Sequence, residues 1–330
     1  MKELKKYLKK LGKRPVLVVS HESPDGDAIG SSIGMGFLLK DLGFDPLVVN
    51  KDPVPGKYSF LKKEITVKNL ENLSDEEKSA SYLVFVMDSA KLDRIGFMLE
   101  EVFPNIDGII NIDHHVSNDF FGMKNFVFPK MAATSEIVGS IYLDLFAFIP
   151  KDAATAIYTG VMTDTGNLTY ESTTSASVAL VSILHEMNAD FNTMRKSVYE
   201  SESIGQIAGM RAVLNNLKIA KDGYIAYTYL TYEDTVANSL TAGDIENYVD
   251  YPRKVSTSEV ALLFKEFVKD EIRVSIRTKS EVDANKLASV FGGGGHKRAA
   301  GFRMRKPLEE TIKFSLNRII EGLENNEWNN

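Results

Sequence analysis

Short apolar runs alternate with helix-like patterns along the first half of the chain. Runs rich in β-branched and aromatic residues stand at 16–19, 47–49, 82–87 and 108–112. Such runs, bounded by turn residues, predict buried strands. Apolar residues at helical spacing predict helices at 28–42, 136–146, 153–162 and 175–187. Strands that alternate with helices indicate an α/β domain in which helices flank a mostly parallel sheet.

The pattern changes after residue 187. Residues 188–216 are mostly polar and helix-compatible, and we interpret them as a helical linker between a first domain at 1–187 and a second at 217–330. The second part predicts strands at 225–230, 260–267 and 272–278, a helix at 284–291, a glycine run at 292–295 and a terminal helix at 308–323. A chain of 330 residues ordinarily forms two domains. We therefore predict two α/β domains, the second one smaller, with a cleft between them.

Composition narrows the class of protein. The chain is 44% apolar and 25% charged, as globular proteins are. No apolar run reaches about 18 residues, and no apolar stretch with a cleavage site follows the basic N-terminus, so we expect neither a membrane span nor a secretory signal. The absence of cysteine excludes disulfides, thiolate metal sites and a cysteine nucleophile. These features fit a cytoplasmic protein with no membrane partner.

Charge is distributed unevenly along the chain. The net charge is −6, yet residues 253–306 hold 13 lysines and arginines against 6 aspartates and glutamates. A net-negative protein with one basic segment indicates an anionic ligand bound at a defined place rather than a long polyanion. A solvated basic face is the plainer alternative.

Four short segments carry aspartate and histidine directly after predicted strands or helices. They contain, in order, His21, Asp25 and Asp27; Asp88; Asp113, His114 and His115; and Asp164. Taken singly, a turn, a helix cap or a pair of mutually satisfied histidines explains each of them. Three of the segments, however, leave the same edge of one predicted sheet, which is where open α/β sheets bind ligands. We therefore expect a single site at that edge.

The four carboxylates of this site indicate divalent cations. Asp25, Asp27, Asp88 and Asp164 would repel one another and raise each other's pKa unless cations neutralised them. A mixture of imidazole and carboxylate ligands favours Mn²⁺ over Mg²⁺, although Mg²⁺, Co²⁺ and Zn²⁺ remain candidates. Two such ions would activate water and stabilise both oxygens of an in-line phosphoryl displacement.

These segments resemble the motifs of a known family. SHESPDGDAIGSS, VMDS, DHH and TDTG occur in this order, and GGGGHKRAAGF follows at residues 292–302. The set is similar to the four motifs of the DHH phosphoesterases and the signature of their DHHA1 domain, and it frames nearly the whole chain. Length and layout resemble the nanoRNase and pAp-phosphatase branch, which is close to the cyclic di-AMP and pApA phosphodiesterases.

The resemblance implies roles for the matching residues. One metal would be held by His21, Asp25 and Asp88, and the other by Asp27, Asp88, His114 and Asp164. Asp113 would orient a ligand, and His115 would lie near the scissile phosphate. Substrate would be bound by Arg94, Gly293, Gly294, Gly295, His296 and Arg298, with the glycines exposing backbone N–H groups. Arg273, on a predicted strand, is a further phosphate candidate, and an exposed strand residue is its alternative.

The expected activity is manganese-dependent hydrolysis of short oligoribonucleotides or linear dinucleotides such as pApA to mononucleotides. Further candidate substrates are pAp and cyclic di-AMP. We expect no binding of long duplex nucleic acid, and we expect a homodimer.

Three other functions are alternatives. A manganese pyrophosphatase shares the N-terminal motifs but has a different second domain. A haloacid-dehalogenase-type phosphatase has an Asp-x-Asp motif that should begin at the strand end, and a non-catalytic cyclic-dinucleotide sensor has no need for metal ligands. One departure from the family pattern is Leu168, at a place that is often aromatic; Tyr170 nearby is the candidate replacement.

Overall fold

The computed structural model describes residues 1–62, 64–295 and 297–328. The chain divides into two compact units, Met1–Ser201 and Glu202–Asn330. Each unit is built around its own six-stranded sheet. The predicted fold class, two α/β domains with a mostly parallel sheet in the first, is confirmed.

All strand pairs of the first sheet are parallel. The strands are β1 Val16–Val19, β2 Pro46–Asn50, β3 Val67–Asn69, β4 Tyr82–Met87, β5 Ile106–Asp113 and β6 Lys124–Val127, in the spatial order β3-β2-β1-β4-β5-β6. The order reverses between β1 and β4, so the connections leave these neighbours in opposite directions and open a crevice at their carboxyl ends. The four predicted strands are present, whereas the short strands β3 and β6 were not predicted.

In the part of the chain that the structure describes, eight α-helices accompany this sheet. They are α1 Lys2–Lys9, α2 Gly26–Asp41, α3 Asp75–Ser79, α4 Leu99–Val102, α5 Thr134–Phe146, α6 Lys151–Asp164, α7 Ser175–Glu186 and α8 Phe191–Tyr199. Alternate strand residues enter two separate cores, because successive side chains point to opposite faces of a sheet. Val18 and Phe85 pack with α2, α5 and α6, whereas Leu17 and Val84 pack with Leu99 on the other face.

Helices α2 and α6 pack closely enough to exclude side chains between them. A Cβ added at Gly30 would lie 2.5 Å from the carbonyl oxygen of Ala156 and 2.9 Å from the amide nitrogen of Gly160. Both contacts are to backbone, so neither can be relieved by a rotamer change. The close packing fixes the positions of Asp27, at the start of α2, and Asp164, at the end of α6.

The second unit contains a mixed sheet. Its strands are β7 Lys218–Ala220, β8 Ile225–Leu230, β9 Val260–Val268, β10 Glu271–Thr278, β11 Gly294–Gly295 and β12 Ala299–Arg305, in the order β11-β12-β10-β9-β8-β7. Strands β8 and β9 pair in parallel, whereas β7 with β8, β9 with β10, β10 with β12 and β11 with β12 pair antiparallel. Its α-helices are α9 Ile204–Asn215, α10 Tyr232–Ala237, α11 Asp250–Arg253, α12 Ala284–Ser289 and α13 Leu308–Glu324. Apolar side chains from one sheet face, including Val274 and Ile276, form a core with α12 and α13.

The helix-compatible stretch between the predicted domains forms two helices. Helix α8 ends at Tyr199, and Ser203 caps α9 by accepting a hydrogen bond from the amide of Gln206. The side chain of Gln206 in turn accepts from the Ser203 amide at 2.7 Å. A reciprocal cap of this kind starts a new helix, which is why the polar stretch does not continue as one.

Among the described residues, no helix is both long and apolar enough to cross a membrane.

Candidate metal centre

The loop after β1 is held by a side chain from β2. The Oδ1 atom of Asn50 accepts hydrogen bonds from the amide and hydroxyl of Ser20, at 3.2 and 2.8 Å, and its Nδ2 donates to the carbonyl of His21. Nδ1 of His21 lies 2.7 Å from the Glu22 carbonyl, which fixes the proton on Nδ1. In the neutral imidazole the lone pair is therefore on Nε2, where a metal ion could bind by displacing a proton.

Asp25 combines two tasks. It is the N-cap of α2, and its Oδ1 accepts hydrogen bonds from the amides of Asp27 and Ala28, at 3.0 and 2.9 Å. The same Oδ1 lies 3.8 Å from Nε2 of His21. Asp25 therefore caps a helix, as the simpler explanation of the Asp-Gly-Asp segment holds. The same position also places its carboxylate beside His21.

Asp88 lies at the centre of the cluster. Its φ is +54°, a left-handed conformation that directs the side chain away from the line of β4. Its amide donates to the carbonyl of Ile112, and its Oδ1 accepts from the hydroxyl of Thr134 at 3.0 Å. Only 2% of the residue is exposed. A buried carboxylate in a strained conformation, held from two sides, is typical of a functional position.

Three imidazoles surround the Asp88 carboxylate. Oδ2 lies 3.8 Å from Nε2 of His21, and Oδ1 lies 3.6 Å from Nε2 of His114 and 3.8 Å from Nδ1 of His115. The two oxygens thus face different histidines. This arrangement allows one carboxylate to serve two cations at once.

Helix α5 holds Asp27 by its first turn. The amides of Thr134 and Ser135 donate to the two carboxylate oxygens of Asp27, at 2.6 and 2.8 Å. The N-terminus of a helix favours negative charge, so these bonds stabilise a carboxylate that is 1% exposed. They also fix its direction.

His114 completes the cluster with Asp164. Its Nε2 lies 3.2 Å from Oδ2 of Asp164, and its Nδ1 lies 3.3 Å from the carbonyl of Met131. The pattern matches that of His21, because a backbone carbonyl lies against one ring nitrogen and the other ring nitrogen faces the carboxylates of the cluster. Metal-binding histidines are held in this way.

The ligand atoms form three overlapping groups in which all atoms lie within 4.8 Å of one another. The groups are His21, Asp25 and Asp88; Asp27, His114 and Asp164; and Asp88, His114 and His115. The structure therefore brings together all six residues predicted as metal ligands, with His115 beside them. Carboxylate oxygens and imidazole nitrogens are a donor set that suits Mn²⁺, Co²⁺ or Zn²⁺, so these residues fit a divalent metal centre.

Asp113 belongs to a different network. It is fully buried; its Oδ1 lies 2.7 Å from Nδ1 of His115, and its Oδ2 accepts from Nδ2 of Asn118 at 2.6 Å. Although burial acts to raise the pKa of Asp113, the His115 hydrogen bond lowers it below its ordinary value. Burial likewise acts to lower the pKa of His115, but the bond to Asp113 and the nearby charge of Asp88 raise it. The pair therefore consists of an ionised Asp113 carboxylate and a His115 imidazole that is readily protonated.

The carboxylates of the cluster repel one another. Burial, followed by the charge of Asp88, raises the pKa of Asp27 to about 7. The pKa values of Asp88 and Asp164 are also raised by burial and by neighbouring carboxylates. Without divalent cations the cluster therefore retains protons, which metal binding would displace.

In metal-free protein we expect the free energy of unfolding to fall as pH rises from about 4 to about 9. The pKa of Asp27 is about 7 in the fold against 3.8 ordinarily, so between these values the native state keeps a proton that the unfolded chain has lost. The pKa of His21 is about 9 in the fold against 6.5 ordinarily: burial lowers it, but the Asp25 hydrogen bond and the charges of Asp88 and Asp25 raise it by more. His21 therefore also makes the free energy of unfolding fall as pH rises between these two values. Its stabilising charge is lost across that window.

The melting temperature of chelator-treated protein, measured from pH 4.5 to 9, tests this expectation. Added Mn²⁺ should remove most of the loss at high pH, since cations replace the displaced protons. A metal-free protein whose melting temperature rises steadily over this range would contradict the geometry described here.

The predicted substrate residues lie on both units. Arg94 is exposed on the 3₁₀ helix Leu92–Ile95, and its carbonyl accepts a hydrogen bond from the Glu22 amide at 2.7 Å, next to the loop that carries His21 and Asp25. In the second unit, the guanidinium of Arg298 donates to the carbonyls of Val282 and Ser280, at 3.0 and 2.6 Å. The Arg298 guanidinium is therefore hydrogen-bonded to backbone within its own unit. His296 lies outside the described residues.

The glycine run has a different local role from the expected one. The amides of Gly292 and Gly293 donate to the carbonyls of Ser289 and Ala288, and the Gly295 amide donates to Oδ1 of Asn285. These three N–H groups are thus used within the domain, and for them the expectation that the glycines expose their N–H groups to a ligand was wrong. Glycine is required here for close approach: a Cβ at Gly293 would clash with the carbonyl of Gly301.

Several residues that shape the centre were not found from the sequence. They are Asn50, Asn118, Thr134 and Ser135, which contact ligands or their neighbours through hydrogen bonds. Thr134 and Ser135 are a polar pair at the start of an otherwise apolar helix. Polar residues at this position are a sequence signal for a helix N-terminus. Near Leu168, the ring of Tyr170 lies against Gly166, so Tyr170 is held beside the Asp164 segment.

Comparison with known proteins agrees with this fold and site. The DHH family N-terminal domain matches residues 15–161, and the DHHA1 domain matches residues 222–325. The bifunctional oligoribonuclease and PAP phosphatase NrnA of Thermus thermophilus is 31% identical over 94% of this chain and 90% of its own. The cyclic-di-AMP phosphodiesterase PdeA of Listeria monocytogenes is 27% identical over 94% of this chain but only 47% of its own.

A solved structure supports the same assignment. An exopolyphosphatase-related protein from Bacteroides fragilis superposes with a TM-score of 0.85 at 29% identity, covering 97% of this chain and 95% of that protein. The parallel sheet with its Asp and His cluster, followed by the second α/β domain, defines a hydrolase of phosphoester bonds. The chain belongs to the DHH/DHHA1 phosphoesterase family, in the branch that contains the NrnA proteins.

Proposed function

We propose that this protein is a two-metal, Mn²⁺-dependent phosphodiesterase that hydrolyses short oligoribonucleotides and linear dinucleotides such as pApA to mononucleotides. The observation that carries the proposal is the pair of ligand groups on either side of Asp88. His21, with Asp25 beside it, faces one of its carboxylate oxygens, and His114 faces the other. When bound, two metal ions would supply charge neutralisation at the scissile phosphate and an activated water.

The protein residues have distinct roles in this proposal. Asp88 would be shared between the two metals, with His21 and Asp25 on one side and Asp27, His114 and Asp164 on the other. His115, polarised by Asp113, would donate a proton to the leaving oxygen. Asp113 would act as a positioning residue, because its other oxygen is held by Asn118. An imidazole that is oriented before the reaction would favour catalysis.

The choice of substrate rests on the second unit and on the relatives. Substrate would be bound by Arg94, Arg273, Gly293, Gly294, Gly295, His296 and Arg298. Because the N–H groups of Gly293 and Gly295 have partners within the domain, these glycines would contribute by allowing close approach of the substrate. The T. thermophilus relative is named for two activities, on oligoribonucleotides and on PAP, and aligns over nearly its full length. The chain spans only about half of the cyclic-di-AMP relative, so linear substrates are the better supported. Dephosphorylation of pAp is the second candidate activity.

Product analysis with Mn²⁺ tests the proposal. The panel would contain pApA, cyclic di-AMP, pAp and an RNA ladder of two to seven nucleotides. We expect stepwise release of mononucleotides from the linear species and much slower opening of the cyclic one. The matched control is the same protein after chelation, which should be inactive and recover on addition of Mn²⁺. If the metal-loaded protein left every linear species intact, the proposed activity would be wrong.

A further inference from the structure

A cavity of about 300 Å³ lies in the first unit, and its lining residues differ from those of the candidate metal-ligand groups. Three aromatic rings and a thioether line it, those of Tyr158, Phe191, Tyr199 and Met194. Met194 is buried, whereas 41% of Tyr199 is exposed, so the cavity opens to solvent beside Tyr199. Its volume is at the lower end of the range of small-ligand sites. We call it the aromatic cavity.

The aromatic rings are held in place by the rest of the unit. The Phe191 ring lies against the imidazole of His185, with 4.3 Å between the ring centroids and 30° between the planes. The hydroxyl of Tyr199 donates to the carbonyl of Met162 at 3.1 Å. Burial raises the pKa of Tyr199 to about 12, so this hydroxyl stays protonated and remains a donor at neutral pH. Rings that are fixed in advance bind a ligand at a lower cost in conformational entropy.

Polar groups stand at the rim of the cavity. Asn167 has a left-handed φ of +59°, and its amide donates to the carbonyl of Met162 at 2.8 Å. Within the described part of the chain, its side-chain carboxamide has no hydrogen-bond partner, so its donors and its acceptor can pair with a ligand. Arg195 and Glu200, also at the rim, form an ion pair with each other. A neutral ligand would therefore meet the Asn167 carboxamide as its polar partner.

These features distinguish among ligands. Aromatic side chains bind flat rings by stacking. A carboxamide forms paired hydrogen bonds with a ring edge that carries a donor beside an acceptor, as asparagine does with adenine. An aliphatic chain would leave the Asn167 carboxamide unpaired, and the mutually neutralised Arg195 and Glu200 have no excess positive charge for a separate phosphate. The chemistry that fits is a purine base, of which adenine is the example in the proposed substrates.

The end of α6 connects the cavity to the candidate metal centre. Asp164, a candidate metal ligand, lies between Met162 and Asn167 in the chain. The carbonyl of Met162 accepts hydrogen bonds both from the hydroxyl of Tyr199 and from the amide of Asn167. A ligand bound against Tyr199 and Asn167 would therefore contact the two residues that hold the turn carrying Asp164.

We propose that the aromatic cavity binds the adenine base of a nucleotide, which is either the far end of a bound substrate or a free mononucleotide. The base would stack on the aromatic lining, and its edge would pair with the carboxamide of Asn167. Bound there, it would restrain the turn that carries Asp164. A nucleotide is the expected ligand because the substrates and products of the proposed function are nucleotides, so this inference rests on that function.

Binding of 2-aminopurine riboside to the Mn²⁺-loaded protein tests the proposal. Its base is a fluorescent analogue of adenine that is quenched by stacking, and the riboside has no phosphate to bind the metal centre. We expect Phe191→Leu to bind the probe at least about fivefold more weakly than wild type, because it loses a stacking ring. We expect Asn167→Gly, which tolerates the left-handed backbone, to bind it about two- to tenfold more weakly.

The matched control is Phe148→Leu. Phe148 is an exposed aromatic residue of the same unit that does not line the cavity, so this variant should bind the probe as wild type does. The melting temperature of each variant, measured without the probe, shows whether it is folded. Asn167→Gly, which changes only a rim residue, keeps the test valid if Phe191→Leu is unstable.

Kinetics with pApA distinguish the two sources of the base. A raised KM for Phe191→Leu with unchanged kcat would assign the cavity to the far base of the substrate, because the lost interaction is then one made equally in the ground and transition states. An unchanged KM together with weaker binding of the probe would assign the cavity to a free mononucleotide.

Probe binding and hydrolysis are independent measurements, so the two proposals can fail separately. A wild type that hydrolyses pApA but does not bind the probe would refute the site and leave the activity standing. Folded variants that bind the probe as tightly as wild type would refute the site as well. Weaker binding by both variants, without any wild-type hydrolysis of pApA, would support the site and refute the proposed activity.

Discussion

Replacing Asp88 with asparagine will lower turnover of a linear dinucleotide by more than about 100-fold while the protein stays folded. The two carboxylate oxygens of Asp88 face His21 and His114, so one amide substitution weakens both halves of the centre. Loss of partners that only orient metal ligands already costs about 10- to 100-fold, and a shared ligand should cost more. Bound manganese, measured by elemental analysis after gel filtration, should fall below that of wild type.

The variant has a second signature that separates a metal effect from misfolding. Burial and neighbouring carboxylates raise the pKa of Asp88, so its charge is unfavourable when no cation is present. The neutral amide of Asp88→Asn would remove that repulsion, and the metal-free variant should therefore melt no lower than metal-free wild type at pH 8. The matched control is Asp93→Asn, because Asp93 is an exposed carboxylate outside the ligand groups. Full activity of Asp88→Asn with a full complement of metal would overturn the shared-ligand assignment.

Replacing Gly30 with alanine will destabilise the first unit by about 2 kcal/mol. The added methyl group would meet the backbone of α6 at Ala156 and Gly160, and backbone cannot rotate away. Alanine improves intrinsic helix propensity by up to about 1 kcal/mol, so any net loss of stability must come from the packing between α2 and α6. Separation of these helices would also move Asp27 from Asp164, and we expect metal affinity to fall with stability.

Thermal melting with and without Mn²⁺ measures both effects of the Gly30 substitution. The matched control is Gly56→Ala, since a Cβ at Gly56 has no heavy atom within 4 Å. The control should melt close to wild type and retain its metal response. If Gly30→Ala were as stable as wild type and bound metal equally well, the close packing of α2 on α6 would not determine the geometry of the centre.

The N-terminal half of the fold was predictable because its local signals agree with one another. The buried strands are continuous apolar runs, which is typical of parallel sheets covered on both faces. Aspartate and histidine follow three of these strands directly, and parallel strands bring their carboxyl ends to one edge. Sequence order alone therefore predicted the gathering of His21, Asp25, Asp88 and His114 at one site.

The strand at Ala299–Arg305 shows where local signals fail. Its first residues are alanine, alanine and glycine, which have low strand propensity, and the motif gave no sign of a strand. It forms because β10 pairs with it along its length, from Arg277 opposite Ala299 to Glu271 opposite Arg305. Pairing between segments far apart in sequence overrides the preference of a short segment.

The sequence by itself determined which residues are the candidate metal ligands, because residue type and position at strand ends are local properties. Tertiary structure decided how those ligands are held: the first turn of α5 binds Asp27, and Asp88 adopts a left-handed conformation. It also decided that the amides of Gly292, Gly293 and Gly295 donate hydrogen bonds within the domain and that Arg273 is paired with Lys265 and Arg303 on the neighbouring strands. Helix packing and strand register set these features, and both depend on contacts between distant parts of the chain that no local pattern specifies.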